Sequence, residues 1–471
     1  MKDFFNEFKP IRNIFRKLNL WDVLYELNKI QNKTKREIVP EVIEFIFINS
    51  IVYSSDYKNL RTKNSLSEWT KLLSRINDLE NKVSSFWFDQ KGWESIHKMY
   101  LNQLKASPNN YLIHLYRYYF IFSNEELAKH IESKINLPYK DFFVCAMWLH
   151  SVFDRKSYVV EKSYFFQKKL NETIFNSNNI SKTLDILSSD LFDLRIMLKN
   201  EIRYDQDIFI THNYPHIRKP IFESEQKLFC QFPDHLLNQF TSGMYYISEI
   251  YKAEYKLSNP FGASFEKYVG VILDKNNPEK RIKIKKEILF NKGQNKTSDW
   301  ILIEEDSMVF IECKTKRLQI ASKRFEDVVE SDISDITDAV VQTYKVYSYF
   351  LRGLITELNC DLSKFFIPIV LTLEEWYAGI PIIKEEITKR VKSKLKIEKI
   401  DETIVDNFDF HIISIANFEM EVQIMTKTGF KHFFDKLRSG KLDKNSFKYS
   451  LYFEKEINET FIKPFENQFE K

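Results

Sequence analysis

Glycine and cysteine are scarce in this 471-residue chain, at 9 and 4 copies, and neither sign of charge dominates, with 70 Lys and Arg against 66 Asp and Glu. So little glycine in a chain that is 44% hydrophobic and 29% charged argues against fibrous and disordered classes and for a folded, helix-rich protein. Cys145, Cys230, Cys313 and Cys360 show no CxxC spacing, so neither a cysteine zinc module nor a disulfide framework is indicated. Apolar runs such as FFVCAMWLHSVF, from Phe142 to Phe153, are too short to span a bilayer as helices. MKDFFNEFKPIRNIF lacks the apolar core of a signal peptide. A cytoplasmic protein without a membrane partner is expected. The net charge of +4 does not by itself announce nucleic acid, and the length accommodates two or three domains.

What is present divides at about residue 255. Residues 1–255 read as a mainly α-helical domain. The stretch from Ser67 places Leu72, Ile76, Leu79 and Val83 at helical spacing, ISKTLDILSSDLFDLRIMLKNEI from Ile180 reads as a similar amphipathic helix, and PIFESEQKLFCQF from Pro220 reads as a short hairpin. His97, His114, His130 and His150 are dispersed and read as packing residues. Residues 256–471 change texture. Helix PFGASFEKYVGVIL, alternating strand RIKIKKEILF, two strands between Ser298 and Lys316, a long helical pattern from Phe325, buried strand FFIPIVLTL, basic helix PIIKEEITKRVKSKLK and the segment from Phe408 predict an α/β domain with a mixed sheet and helices on its faces.

Within that domain SDWILIEEDSMVFIECKTK poses a physical problem. If its strands form a hairpin turning at Glu305-Asp306, opposed residues keep a constant index sum, so Ile303 faces Met308, Ile301 faces Phe310 and Asp299 faces Glu312. Period-two alternation puts Lys314 on the face of Glu312, Ile301 and Phe310, while Trp300, Leu302, Val309, Ile311 and Cys313 share the other. Two opposed carboxylates repel. A divalent cation between them reverses that sign, and hard oxygen ligands suit Mg²⁺. The competing explanation is a strand end salt-bridged through Lys314.

Asp299, twelve intervening residues, then Glu312-Cys313-Lys314 resembles the signature of the PD-(D/E)xK nuclease superfamily, with Ser298 in the place of the family's proline. The resemblance covers about residues 258–425 and implies a restriction-endonuclease-like fold. It implies Mg²⁺, with Mn²⁺ as an alternative, held by Asp299, Glu312, the Cys313 carbonyl and Glu266, with Lys314 positioning the attacking water and Gln342 steadying the site. The basic runs supply Lys283, Lys285, Lys292, Lys296, Lys316, Lys389, Arg390 and Lys392 as expected nucleic-acid contacts. The expected activity is Mg²⁺-dependent phosphodiester hydrolysis by a DNA endonuclease, in restriction or anti-phage defence if related nucleases are a guide. RNA is an alternative substrate, and a non-catalytic nucleic-acid-binding or assembly module an alternative role. The N-terminal domain is expected to recognise substrate, a protein partner or a second copy of the chain.

Overall fold

Leu72, Ile76, Leu79 and Val83 are all buried along one side of the helix Leu66–Phe88, as their spacing requires. The computed structural model describes residues 3–32, 38–56, 66–88, 111–154, 158–170, 173–205, 208–209, 214–315, 329–358, 361, 363–376, 378 and 380–439. Among the described residues, seven helices come first: α1 (Phe5–Phe15), α2 (Leu20–Gln31), α3 (Pro40–Tyr53), α4 (Leu66–Phe88), α5 (Tyr111–Phe122), α6 (Glu125–Ile135) and α7 (Tyr139–Asp154). Asn124 caps α6 by accepting the Glu126 and Leu127 amides, and Asn136 closes it in the left-handed conformation, φ 53°.

The expected single helix from Ile180 is instead two, α8 (Ser177–Leu187) and α9 (Leu191–Glu201). Ser-Ser-Asp breaks it: the Ser188 hydroxyl donates back to the Leu184 carbonyl, and Asp190 turns its carboxylate onto the Phe192 amide to cap the next helix. The intervening Ser188–Asp190 (β2) joins a four-stranded sheet with β1 (Val159–Glu161), β3 (Ile221–Ser224) and β4 (Lys227–Phe229), in the order β1-β4-β3-β2. The hairpin expected from Pro220 is β3–β4, turning on Glu225 and Gln226, both at positive φ (48° and 61°). Two short helices, α10 (Pro215–Arg218) and α11 (Pro233–Phe240), flank this hairpin.

The second half is a mixed α/β layer. Helix α12 (Ser258–Lys275) leads into β5 (Lys283–Lys286), a two-stranded ribbon of β6 (Leu289–Phe290) and β7 (Asn295–Lys296), then β8 (Trp300–Ile303) and β9 (Ser307–Lys314). Helix α13 (Val329–Leu351), β10 (Phe365–Thr372), α14 (Pro381–Ile397), β11 (His411–Ser414), α15 (Ile415–Thr428) and α16 (Phe430–Arg438) follow. The five-stranded sheet has the order β11-β10-β9-β8-β5, antiparallel from β5 to β9 and parallel from β9 to β11. RIKIKKEILF is not one continuous strand. The chain leaves the sheet after Lys286, where the Glu287 amide donates to the Asp299 carbonyl, and the ribbon brings it back.

Each face of the hairpin enters a different core. Ile301, Ile303, Met308 and Phe310 pack with α13 and α14, while Leu302, Val309 and Ile311 pack with α12. The latter core is continuous with α5 and α7, so one set of buried side chains runs from Leu115 to Phe434 across residue 255. Among the described residues, no helix is long and apolar enough to cross a membrane.

Candidate active site

The pairing Trp300↔Ile311, Ile301↔Phe310, Leu302↔Val309 and Ile303↔Met308 is the register deduced from the index sum. Continuing it by one residue sets Asp299 across from Glu312. The aspartate is fixed twice. Its carbonyl accepts the Glu287 amide at 2.9 Å, and its Oδ2 accepts the Cys313 amide at 2.7 Å. Only 6% of Asp299 and 2% of Glu312 is exposed. Lys314 Nζ donates to Glu312 Oε1 at 2.8 Å, while Glu312 Oε2, also buried, has no hydrogen-bond partner among the described residues.

Glu266 stands half-buried on α12, which packs on the opposite face of the hairpin from α13, near enough for its carboxyl to feel the Asp299 charge. The ligand oxygens of Glu266, Asp299 and Glu312 do not all lie within 4.8 Å of one another. The electrostatics tie the three carboxylates together. Burial first, then the nearby Asp299 charge, pushes the Glu312 carboxyl up to about 7, against the pull of Lys314 and Lys296. Burial also raises Asp299, opposed by the Cys313 amide and by Lys314 and Lys296. Glu266 is raised by burial and by Asp299, with Lys286 and Lys296 opposing. Burial and these same carboxylates push the Cys313 thiol up, and its side chain packs against the core on the α12 face, opposite the face of Glu312 and Lys314.

Gln342 lies on the α13 side, half-buried, and lines a cleft of about 250 Å³ together with Lys314, Asp335, Asp338 and Trp376. Asp335 was not among the expected site residues, although it stands two helical turns before Gln342 on the same face, a spacing that marks it out in the sequence. Tyr344 and Tyr347, close by on α13, are core residues: the Tyr344 hydroxyl donates to the Phe408 carbonyl, and Tyr347 stacks on Phe366.

The expected nucleic-acid contacts fall into two groups. Lys283, Lys292 and Lys389 are exposed. Lys285 instead donates to the Glu357 carbonyl, Lys296 pairs with Glu287 at 2.8 Å, Arg390 with Glu386 at 2.6 Å and Lys392 with Asp406 at 2.6 Å. Much of that basic charge is therefore answered within the chain. Lys296 has a further role, since the ribbon carries it back to the carboxylates, where its charge acts on Asp299, Glu312 and Glu266. Lys316 lies outside the described residues, as does His97. His114, His130 and His150 hydrogen-bond to the Thr241 hydroxyl, the Ser248 carbonyl and the Tyr111 hydroxyl.

A carboxylate pair with one buried, unsatisfied oxygen and a lysine at its edge fits a hard divalent cation. Two facing carboxylates offer the hard oxygen donors that Mg²⁺ or Mn²⁺ takes, while Glu266 is not gathered with them. Compared with protein-family models, curated proteins and solved structures, the chain matches none.

Proposed function

We propose that the chain is a Mg²⁺-dependent phosphodiesterase with a restriction-endonuclease-like core, and that its substrate is DNA. The observation that carries this reading is Glu312. A carboxylate 2% exposed, opposite Asp299, with one oxygen on Lys314 and the other unsatisfied, is an expensive arrangement for a strand end that does nothing. A plain Glu312–Lys314 salt bridge accounts for one of the two oxygens and leaves the repulsion from Asp299 in place.

Asp299, Glu312 and the Cys313 carbonyl would hold the cation, with Glu266 binding it directly or through water. The bound ion would supply Lewis-acid stabilisation of a phosphate and a water of lowered pKa. The residues do the rest. Asp299 is locked by the Cys313 amide, so its carboxylate keeps one orientation. Lys314, one-third exposed, is anchored by Glu312 yet reaches the cleft, where its ammonium orients the water and stabilises charge growing on the phosphate. Gln342 steadies the far wall of that cleft. Restriction or anti-phage defence is the corresponding biological role. The α-helical half is assigned to recognition of substrate, a protein partner or a second copy.

The deciding experiment offers supercoiled plasmid, linear duplex, single-stranded DNA and RNA to the purified chain, with and without Mg²⁺ or Mn²⁺. Metal-dependent cleavage of a DNA substrate is expected. Cleavage of RNA alone reassigns the substrate, and binding without cleavage under every metal reassigns the chain as a nucleic-acid-binding or assembly module.

A further inference from the structure

Helix α3 is buried on nearly every side, and among its apolar residues it carries Glu44 into the interior with 2% of the residue exposed. A lone carboxylate there would be costly. Two histidines from elsewhere in the chain meet it. His216 of α10 places Nε2 3.7 Å from Glu44 Oε2, and His235 of α11 places Nε2 3.2 Å from Glu44 Oε1. All three side chains are at most 8% exposed, and one donor atom from each lies within 4.8 Å of the other two. The His235 Nε2, though so close to the carboxylate, makes no hydrogen bond to it or to any other described residue.

We propose that Glu44, His216 and His235 form a structural site for a divalent transition metal of the zinc class. Zinc takes imidazole nitrogen and carboxylate oxygen at ~2.0–2.2 Å, so neighbouring ligand atoms on a tetrahedron stand about 3.3 Å apart. The separations of 3.2 and 3.7 Å run to different Glu44 oxygens, one to each histidine, and one donor atom from each of the three residues lies within 4.8 Å of the other two, within reach of a single shared ion. Nitrogen donors select this class over Mg²⁺ or Ca²⁺, which prefer all-oxygen shells. Phe47 and Phe232 wall the site, with ring centroids 5.6 and 6.1 Å from that of His216. Such enclosure suits a structural ion with a trapped water as fourth ligand, not one that must admit substrate. The ion would clamp α3 to α10 and α11, on either side of the β3–β4 hairpin. The alternative is a metal-free imidazolium on one histidine neutralising Glu44.

The test uses the full-length chain, dialysed against Zn²⁺ and then metal-free buffer, with bound metal counted by mass spectrometry. One zinc per chain is expected in wild type and in Asp299→Asn. His235→Ala and Glu44→Gln should lose it, with affinity lower by more than about 100-fold, since even residues that only orient metal ligands are worth ~10–100-fold. Because either variant could fail to fold, wild type is also loaded with Co²⁺. An intense visible spectrum of a four-coordinate site is expected, together with a lower melting temperature after chelation. No retained zinc and no Co²⁺ spectrum in folded wild type would overturn the site in favour of the imidazolium. Equal retention by folded His235→Ala would overturn it in favour of other ligands.

Discussion

Arg117 of α5 and Glu419 of α15, 302 residues apart in the chain, form a buried two-pronged ion pair with contacts of 2.8 and 2.5 Å. The Tyr268 hydroxyl of α12 donates to the same carboxylate at 2.8 Å. Removing one partner strands the other charge, so Arg117→Ala should destabilise the protein by about 3–5 kcal/mol. Replacing both partners with Met and Leu should recover most of that loss, short of what the Tyr268 hydroxyl forfeits. Chemical denaturation of the two variants measures the difference; equal stability would mean that the pair is not the tie it resembles.

The approach of α12 to β8 is as tight as a backbone allows. A methyl at Gly270 would stand 2.6 Å from the Trp300 ring, one residue after Asp299. Gly270→Ala should therefore cost about 1–3 kcal/mol through overpacking and move the aspartate. Thermal melting reads the first effect, and a rise in the Mg²⁺ concentration needed for half-maximal cleavage reads the second.

Glu312 sets a pH dependence of known sign. Its carboxyl is lifted from the ordinary 4.5 to about 7, so the folded chain holds this proton more tightly than the unfolded one. The stability it contributes is complete below 4.5 and is lost as pH rises through about 7. Metal binding runs the other way. A proton must leave for the cation to enter, so Mg²⁺ affinity should fall by up to about tenfold for each pH unit below neutrality. Glu312→Gln should flatten the stability trend to the part that Asp299 and Glu266 still contribute and weaken Mg²⁺ binding at every pH, which thermal melting and calorimetric Mg²⁺ titrations on either side of neutrality read respectively.

Lys314 and Asp299 should separate in their effects. Asp299→Asn weakens metal binding and cleavage together. Lys314→Met keeps the carboxylates and their Mg²⁺ yet should cut more slowly by ~10²–10⁴-fold, the usual contribution of a positioned catalytic group. Wild-type cleavage by a folded, metal-binding Lys314→Met protein would remove the lysine from the mechanism.

Charge reversal at Lys283, Lys292 and Lys389, all exposed, should flatten the salt dependence of DNA binding by up to about 3 in log–log slope, near 0.9 for each phosphate that is no longer neutralised. The same change at Arg390 and Lys392 should act mainly on stability, because each already holds an acidic partner. An unchanged slope in the first set would place DNA on another face.

What could be read from the sequence follows the range of the forces involved. The β8–β9 register rests on alternation and a tight turn, both local, and it emerges residue for residue. The β3–β4 hairpin and α4 are local in the same way. The sheet's mixed character followed from the succession of helices and strands. The division of the Ile180 helix turned on side-chain hydrogen bonds from Ser188 and Asp190, which helical periodicity does not weigh against propensity. Lys296 approaches the carboxylates only because the β6–β7 ribbon doubles back, with Asn291, Lys292 and Gly293 all at positive φ. Glu44, His216 and His235 meet through tertiary packing alone. No spacing rule joins a glutamate on one helix to two histidines more than 170 positions downstream.

Strand β9 has a neighbour on each side, antiparallel β8 and parallel β10, and its ladder to β10 runs the full length from Ser307 to Lys314. Glu312 and Lys314 lie just past the β8 ladder but still within the β10 one, so they extend directly from the doubly paired stretch 308–311, where amide exchange should be slowest. Carboxylates on a loop could swing apart and shed their repulsion when no cation is near. Here Glu312 is fixed by β9 and Asp299, just before β8, is tied to that strand by the Cys313 amide, so an entering cation would find these two ligands already ordered, with little left to lose in conformational entropy.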